Sequence, residues 1–215
     1  MKKSKNLFAL LLTMALMISL MPAAFAREEC PSASFTDVDT SMYYHEGVDY
    51  MVKNGYMKGY SAKAFMPNAD ITRGMVVTVL YNMAGRPEIS AAAKFPDVSA
   101  GAYYGKAVAW AAANGVAKGN SDGTFAPDTS VTRQQLASFL YNYASFLKMD
   151  VSSKGDLSKF KDASLVSSYA SAAMGWCVSS SIISGTGSDT LLPQGTATRA
   201  QFANMACSLS VLIAT

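Results

Sequence analysis

Gly119-Asn120-Ser121-Asp122-Gly123-Thr124-Phe125-Ala126-Pro127, followed by Thr132-Arg133-Gln134-Gln135, is the stretch on which the fold turns. It reads as a Gly/Asn-rich turn, an aromatic plug for the core, a proline that stiffens the approach, and a helix start. Thr132 offers a side-chain oxygen to the orphan N–H groups of a first helical turn, and Gln135, three residues on, completes a capping box. The same marks recur 60 residues earlier and 66 residues later: Gly59, Gly119 and Gly185; Pro67, Pro127 and Pro193; Thr72, Thr132 and Thr198; Arg73, Arg133 and Arg199. Tyr50, Trp110 and Trp176 fall in the same register. Five columns at fixed offsets define a triplicated unit. Asp37, Asp97 and Asp162 follow at offsets of 60 and 65, so repeat three carries a one-residue insertion, and the polar linker from Lys148 to Lys159 takes up the remaining length.

Each unit reads as helix, irregular loop, helix. Tyr44, Val48, Met51 and Val52 lie on one face at a 3.6-residue period; Tyr104, Val108, Ala111 and Ala112 repeat it, and repeat three has Met174, Cys177 and Val178. Gly55 and Gly115 stop the first helices with a residue that tolerates left-handed geometry, where repeat three has Ser181. The second helices continue with Leu136, Phe139, Leu140 and Tyr143, and with Phe202, Met205 and Leu209. Repeat one has Met75 at the capping-box position and so a weaker cap. The Gly119–Pro127 loop lacks the alternating acidic ligands and closing Glu of a calcium loop and reads as a structural turn. One unit cannot bury two amphipathic helices alone, whereas three can. The expected fold is mainly α, with three helix-loop-helix repeats at 35–88, 95–148 and 160–213 in a compact, approximately three-fold arrangement.

Residues 1–26 read as a secretory signal peptide: Lys2, Lys3 and Lys5, the apolar run Leu7 to Leu20, and the small-x-small site Ala24-Phe25-Ala26. The apolar run is shorter than the roughly 20 residues of a membrane span. Residues 27–34 form a short N-terminal tail. The formal charge of +3 resides in the leader, whose removal leaves fifteen basic against fifteen acidic side chains. A neutral surface exerts no general pull on nucleic acid or anionic membrane, so any anion binding must come from locally placed cations. Three cysteines cannot all pair. Cys177 and Cys207 admit either a disulfide or, the reading we favour, service as small apolar core residues.

Phe35-Thr36-Asp37-Val38, Phe95-Pro96-Asp97-Val98 and Phe160-Lys161-Asp162-Ala163 open the three units, and Trp110-Ala111 precedes Asn114-Gly115 in the middle one. With the loop and cap above, the chain closely resembles the S-layer homology family, in three copies covering nearly all of the mature chain. The resemblance implies a secreted protein at the cell wall or S-layer. It also implies non-covalent attachment to secondary cell-wall polysaccharide through an acidic, pyruvylated sugar held in grooves between repeats. The family's Thr-Arg-Ala-Glu motif appears as Thr72-Arg73-Gly74-Met75, Thr132-Arg133-Gln134-Gln135 and Thr198-Arg199-Ala200-Gln201, so no copy keeps the glutamate. Leu191 stands where Phe is usual, and repeat two is the most complete.

Each motif arginine would sit in the first turn of a helix, where a cation is disfavoured by ~0.3–1 kcal/mol. Its recurrence argues for use. Exposed N–H groups, the dipole and a planar guanidinium together make a carboxylate receptor. The structural alternative is a salt bridge from Arg73, Arg133 or Arg199 to Asp37, Asp97 or Asp162 of its own repeat. Both fit if the aspartate orients the arginine or accepts sugar hydroxyls. Tyr50, Trp110 and Trp176 lie outside the apolar stripe, which favours a position near a groove, where they could stack on sugar; core packing is the alternative. Lys58 and Lys118 could add charge, where repeat three has Ser184.

Catalysis has little support. His45, the single histidine, reads as an exposed helix residue, and the cysteines show no zinc spacing. One aspartate per repeat suits repeated binding better than an asymmetric acid/base pair. Neither metal nor cofactor is called for. Two functions remain open: a wall-binding lectin module, and an assembly protein working through self-association or contacts with envelope proteins.

Overall fold

The computed structural model describes residues 30–90 and 94–214. The proposed leader therefore lies outside the described residues. The chain divides into Met1–Cys30 and Pro31–Thr215, and the architecture below belongs to the second unit. Among the described residues six α-helices pair off by repeat: α1 (His45–Lys53) and α2 (Arg73–Met83), α3 (Gly105–Ala113) and α4 (Arg133–Phe146), α5 (Ser171–Ser179) and α6 (Arg199–Ala214). Among the described residues the only β-structure is a set of isolated bridges. No described helix is long and apolar enough to cross a membrane.

The helix ends follow the sequence signals. Thr72 accepts from Met75 N but forms no box, whereas Thr132 and Gln135 form the full reciprocal pair. Thr198 and Gln201 do the same, with both bonds at 3.2 Å. Gly55 and Gly115 close the first helices at φ +67° and +70°, and Ser181 adopts the same left-handed conformation at +57°. The shared geometry is imposed by the chain reversal, and serine tolerates it at some backbone cost.

The repeats interlock instead of standing side by side. Each first helix packs chiefly against the second helix of the preceding repeat: α3 on α2, α5 on α4, and α1 on α6. The last pairing closes the series into a ring. At its centre Ile71 N donates to Ala197 O, Ala197 N to Val131 O and Val131 N to Ile71 O, at 2.8–3.0 Å. All three side chains are fully buried. The second helices are docked by the same rule. Arg73 N and Gly74 N donate to Thr129 O and Pro127 O; Arg133 N and Gln134 N to Gly195 O and Pro193 O; Arg199 N and Ala200 N to Ala69 O and Pro67 O.

This interlocking corrects the position expected for the aromatic column. Trp110 is wedged between α2 and α4, against Tyr81, Tyr143 and Phe146, and is only 2 % exposed. Trp176 is equally buried, against Tyr141, with its indole N–H donating to Asp150 O. Tyr50 is half-buried beside Tyr56. The indoles escape the apolar stripe of their own helix because a second repeat covers that side. The linker after Lys148 is also more than a spacer, since Met149, Val151 and Leu157 pack on the core and Gly155 N donates to Gly175 O. Cys177 and Cys207 are free thiols, with Cys177 buried. His45, expected to be exposed, is half-buried next to Asp49.

Candidate functional site: three arginine clefts

Each motif arginine reaches out of its own repeat into the loop of the next. Arg73 donates through Nε to Phe125 O (2.7 Å) and through Nη2 to Lys118 O (3.1 Å). Arg133 reaches Leu191 O (2.7 Å) and Ser184 O (3.4 Å), and Arg199 reaches Phe65 O (2.8 Å) and Lys58 O (2.9 Å). Arg73 and Arg199 also lie over the rings of Phe125 and Phe65, at 4.7 and 4.6 Å. Leu191 replaces that ring beneath Arg133. The three arginine residues are 5–9 % exposed. Burial lowers the pKa of each guanidinium, offset in part by the Asp97 carboxylate for Arg73, by Tyr43 and Asp162 for Arg133, and by Asp37 for Arg199.

The aspartates are placed differently from expectation. None forms an ion pair with an arginine among the described residues, and the nearest one belongs to the following repeat. Asp37 accepts from the N–H groups of Phe65 and Met66, Asp97 from Phe125 and Ala126, and Asp162 from Leu191 and Leu192. The second residue of each pair is non-glycine in the left-handed region: Met66, Ala126 and Leu192, at φ +59°, +54° and +49°. The aspartate thus holds a strained loop, and the carbonyl of the first residue turns the other way to accept the neighbouring arginine. Aspartate and arginine clamp one residue between two repeats. Burial alone would raise the Asp97 carboxyl, but the Phe125 and Ala126 N–H groups outweigh it and hold the pKa below the usual range.

The helix N–H groups are not free to receive an anion. The first two of each second helix already donate to the neighbouring repeat, and the third donates to its threonine cap. What opens outward is the guanidinium edge. Among the described residues, Nη1 of each arginine has no hydrogen-bond partner, yet no side-chain nitrogen is both buried and unpaired. That edge therefore faces open space.

Each arginine lines a cleft of its own: about 410 Å³ for Arg73, 450 Å³ for Arg133 and 680 Å³ for Arg199. A cleft draws on all three repeats. The Arg73 cleft takes its floor from α4 and the Lys118–Gly119 loop, and a wall from Tyr169. The Arg199 cleft uses α2, Lys58–Gly59 and Tyr103; the Arg133 cleft uses α6, Ser184–Gly185 and Tyr43. Close approach explains the loop glycines, because a Cβ at Gly59, Gly119 or Gly185 would overlap the ring of Phe35, Phe95 or Phe160. Asp37, Asp97, Asp162, Trp110, Trp176 and Tyr50 line none of the three clefts.

Tyr43, Tyr103 and Tyr169, all 61–64 % exposed, are cleft residues that the sequence reading missed. Their signal was present, since they recur at the same offsets of 60 and 66. It was hidden by the adjacent Tyr44 and Tyr104, which fit the apolar stripe.

A family profile described as "S-layer homology domain" matches residues 34–74, 94–137 and 159–203. The chain is 32 % identical over 94 % of its length to the Surface-layer 125 kDa protein of Lysinibacillus sphaericus, covering 16 % of that protein. It is 26 % identical over 97 % of its length to an endoglucanase of Bacillus sp. (strain KSM-635), covering 22 %. Against a cellulosome-anchoring protein of Acetivibrio thermocellus it is 26 % identical over 68 % of its length, covering 33 %. The chain thus spans between a sixth and a third of these relatives. With the repeats matched one by one, and each matched segment running through its motif arginine, this chain belongs to the S-layer homology domain family.

Proposed function

We propose that this chain attaches non-covalently to an acidic secondary cell-wall polysaccharide, seating a carboxylate-bearing, pyruvylated sugar against the guanidinium edge in each cleft. It works at the cell surface as a binding module. One observation carries the reading: three guanidinium groups without a carboxylate partner among the described residues, each held rigid by neutral carbonyls, each facing a cleft. A rigid, unneutralised fork matches a carboxylate in a bidentate way at little ordering cost. The exposed tyrosine of each cleft supplies a flat face for a sugar ring. The name of the cellulosome-anchoring relative, and those of the surface-layer relatives, support a role at the wall.

The test is co-sedimentation of the protein with purified cell walls, before and after mild acid removal of pyruvyl groups. Wall binding is expected to drop at least tenfold on depyruvylation, and likewise in the Arg73→Gln/Arg133→Gln/Arg199→Gln triple variant, provided circular dichroism shows it folded. Unchanged binding by a folded triple variant, or self-assembly that needs no polysaccharide, would sink the proposal.

A further inference from the structure

We propose that Arg86 makes the Arg199 cleft selective for a saccharide segment bearing two carboxylates, so that the three clefts are ranked and this one dominates binding. The inference rests on the glycan-binding reading above. The clefts share a guanidinium but differ in everything around it. The Arg133 cleft contains no second cation: Ser184 stands at the lysine position, and Arg133 has the longest of the outer hydrogen bonds and no ring beneath it. The Arg73 cleft adds Lys118. The Arg199 cleft adds both Lys58 and Arg86 and is the largest.

Arg86 is fixed much as the motif arginines are. Its Nε donates to Asn82 Oδ1 (2.8 Å) and its Nη2 to Gly55 O (2.9 Å), and Asn82 is itself anchored by donating to Tyr56 O (3.0 Å). Two neutral acceptors orient the guanidinium while leaving three of its five N–H donors. No carboxylate lies within ion-pair distance of it among the described residues. Its backbone is left-handed at φ +55°, and it is exposed. The fold does not require a cation there, since the residue 60 positions later is Phe146, packed against Trp110. A second oriented guanidinium facing the same cleft therefore adds a second anion seat.

The test uses the whole protein and two probes in calorimetric titration: a pyruvylated monosaccharide, and a disaccharide joining that sugar to glucuronic acid. The disaccharide should bind at least tenfold more tightly, with a steeper loss between 50 and 300 mM salt. Arg86→Gln should abolish this preference while leaving monosaccharide affinity within twofold, Arg86→Lys should retain part of it, and Arg73→Gln should leave it intact. A merely structural Arg86 would weaken both probes together. Persistence of the tenfold preference in Arg86→Gln, or equal affinity of the wild type for the two probes, overturns the inference while leaving the glycan reading standing. Failure of both probes to bind overturns that reading, and this one with it.

Discussion

The residue clamped between aspartate and arginine shows how single side chains divide the work. Asp97 spends both carboxylate oxygens on the Phe125 and Ala126 N–H groups, and the Phe125 carbonyl receives Arg73. Asp97→Asn removes one charged acceptor from a left-handed turn. We expect a loss of about 1 kcal/mol, below the usual range for charged hydrogen bonds because solvent screens an exposed carboxylate. The pH dependence has a definite sign. The folded-state pKa lies below the ordinary 3.8, so this stabilisation is present above that value and is lost as pH falls through the folded pKa. Melting temperatures from pH 6 to pH 2 should therefore fall less steeply for Asp97→Asn than for the wild type; parallel curves would show that the carboxylate holds nothing. The sequence singled out the arginine as a candidate anion seat and the aspartate as its companion. It paired them within one repeat because sequence neighbours were the only partners in view.

At the scale of elements, the second helices were the most legible part of the chain, because caps are written locally. Thr132 with Gln135 forms the reciprocal pair, whereas Thr72 with Met75 forms half of it. Thr132→Ala should lower stability by ~1 kcal/mol in chemical denaturation, Thr72→Ala by less, and Met75→Gln should gain a few tenths. Equal losses at both threonines would mean that the neighbouring repeat, not the box, sets these helix starts. The first helices were legible in extent but not in environment. Periodicity shows which face of α3 is apolar, yet Trp110 lies off that face and is still enclosed, because α2 of another repeat covers it. Contacts between helices far apart in sequence leave no local period to read.

At the scale of the molecule, ring closure decides how the protein should fail. Linear repeat arrays unravel from their ends and tolerate loss of a terminal unit, since each unit contacts only its neighbours in sequence. Here α6 returns to α1, and the Ile71, Val131 and Ala197 backbone bonds join all three repeats in one cycle. No repeat is terminal. Removing residues 160–214 would strip α6 from α1 and α5 from α4, leave Arg133 without Leu191 and Ser184, and take the Tyr169 wall from the Arg73 cleft. The intact protein should therefore melt in one calorimetric transition, with equal calorimetric and van't Hoff enthalpies on the order of 130 kcal/mol for a body of this size. The two-repeat remainder should show neither a cooperative transition nor wall binding. A truncated chain that melts sharply near the intact temperature and still sediments with cell walls would mean that pairs of repeats are self-sufficient. The clefts would then be properties of single interfaces. If it fails on both counts, binding and folding share one cause: every cleft needs three repeats because every repeat needs the other two.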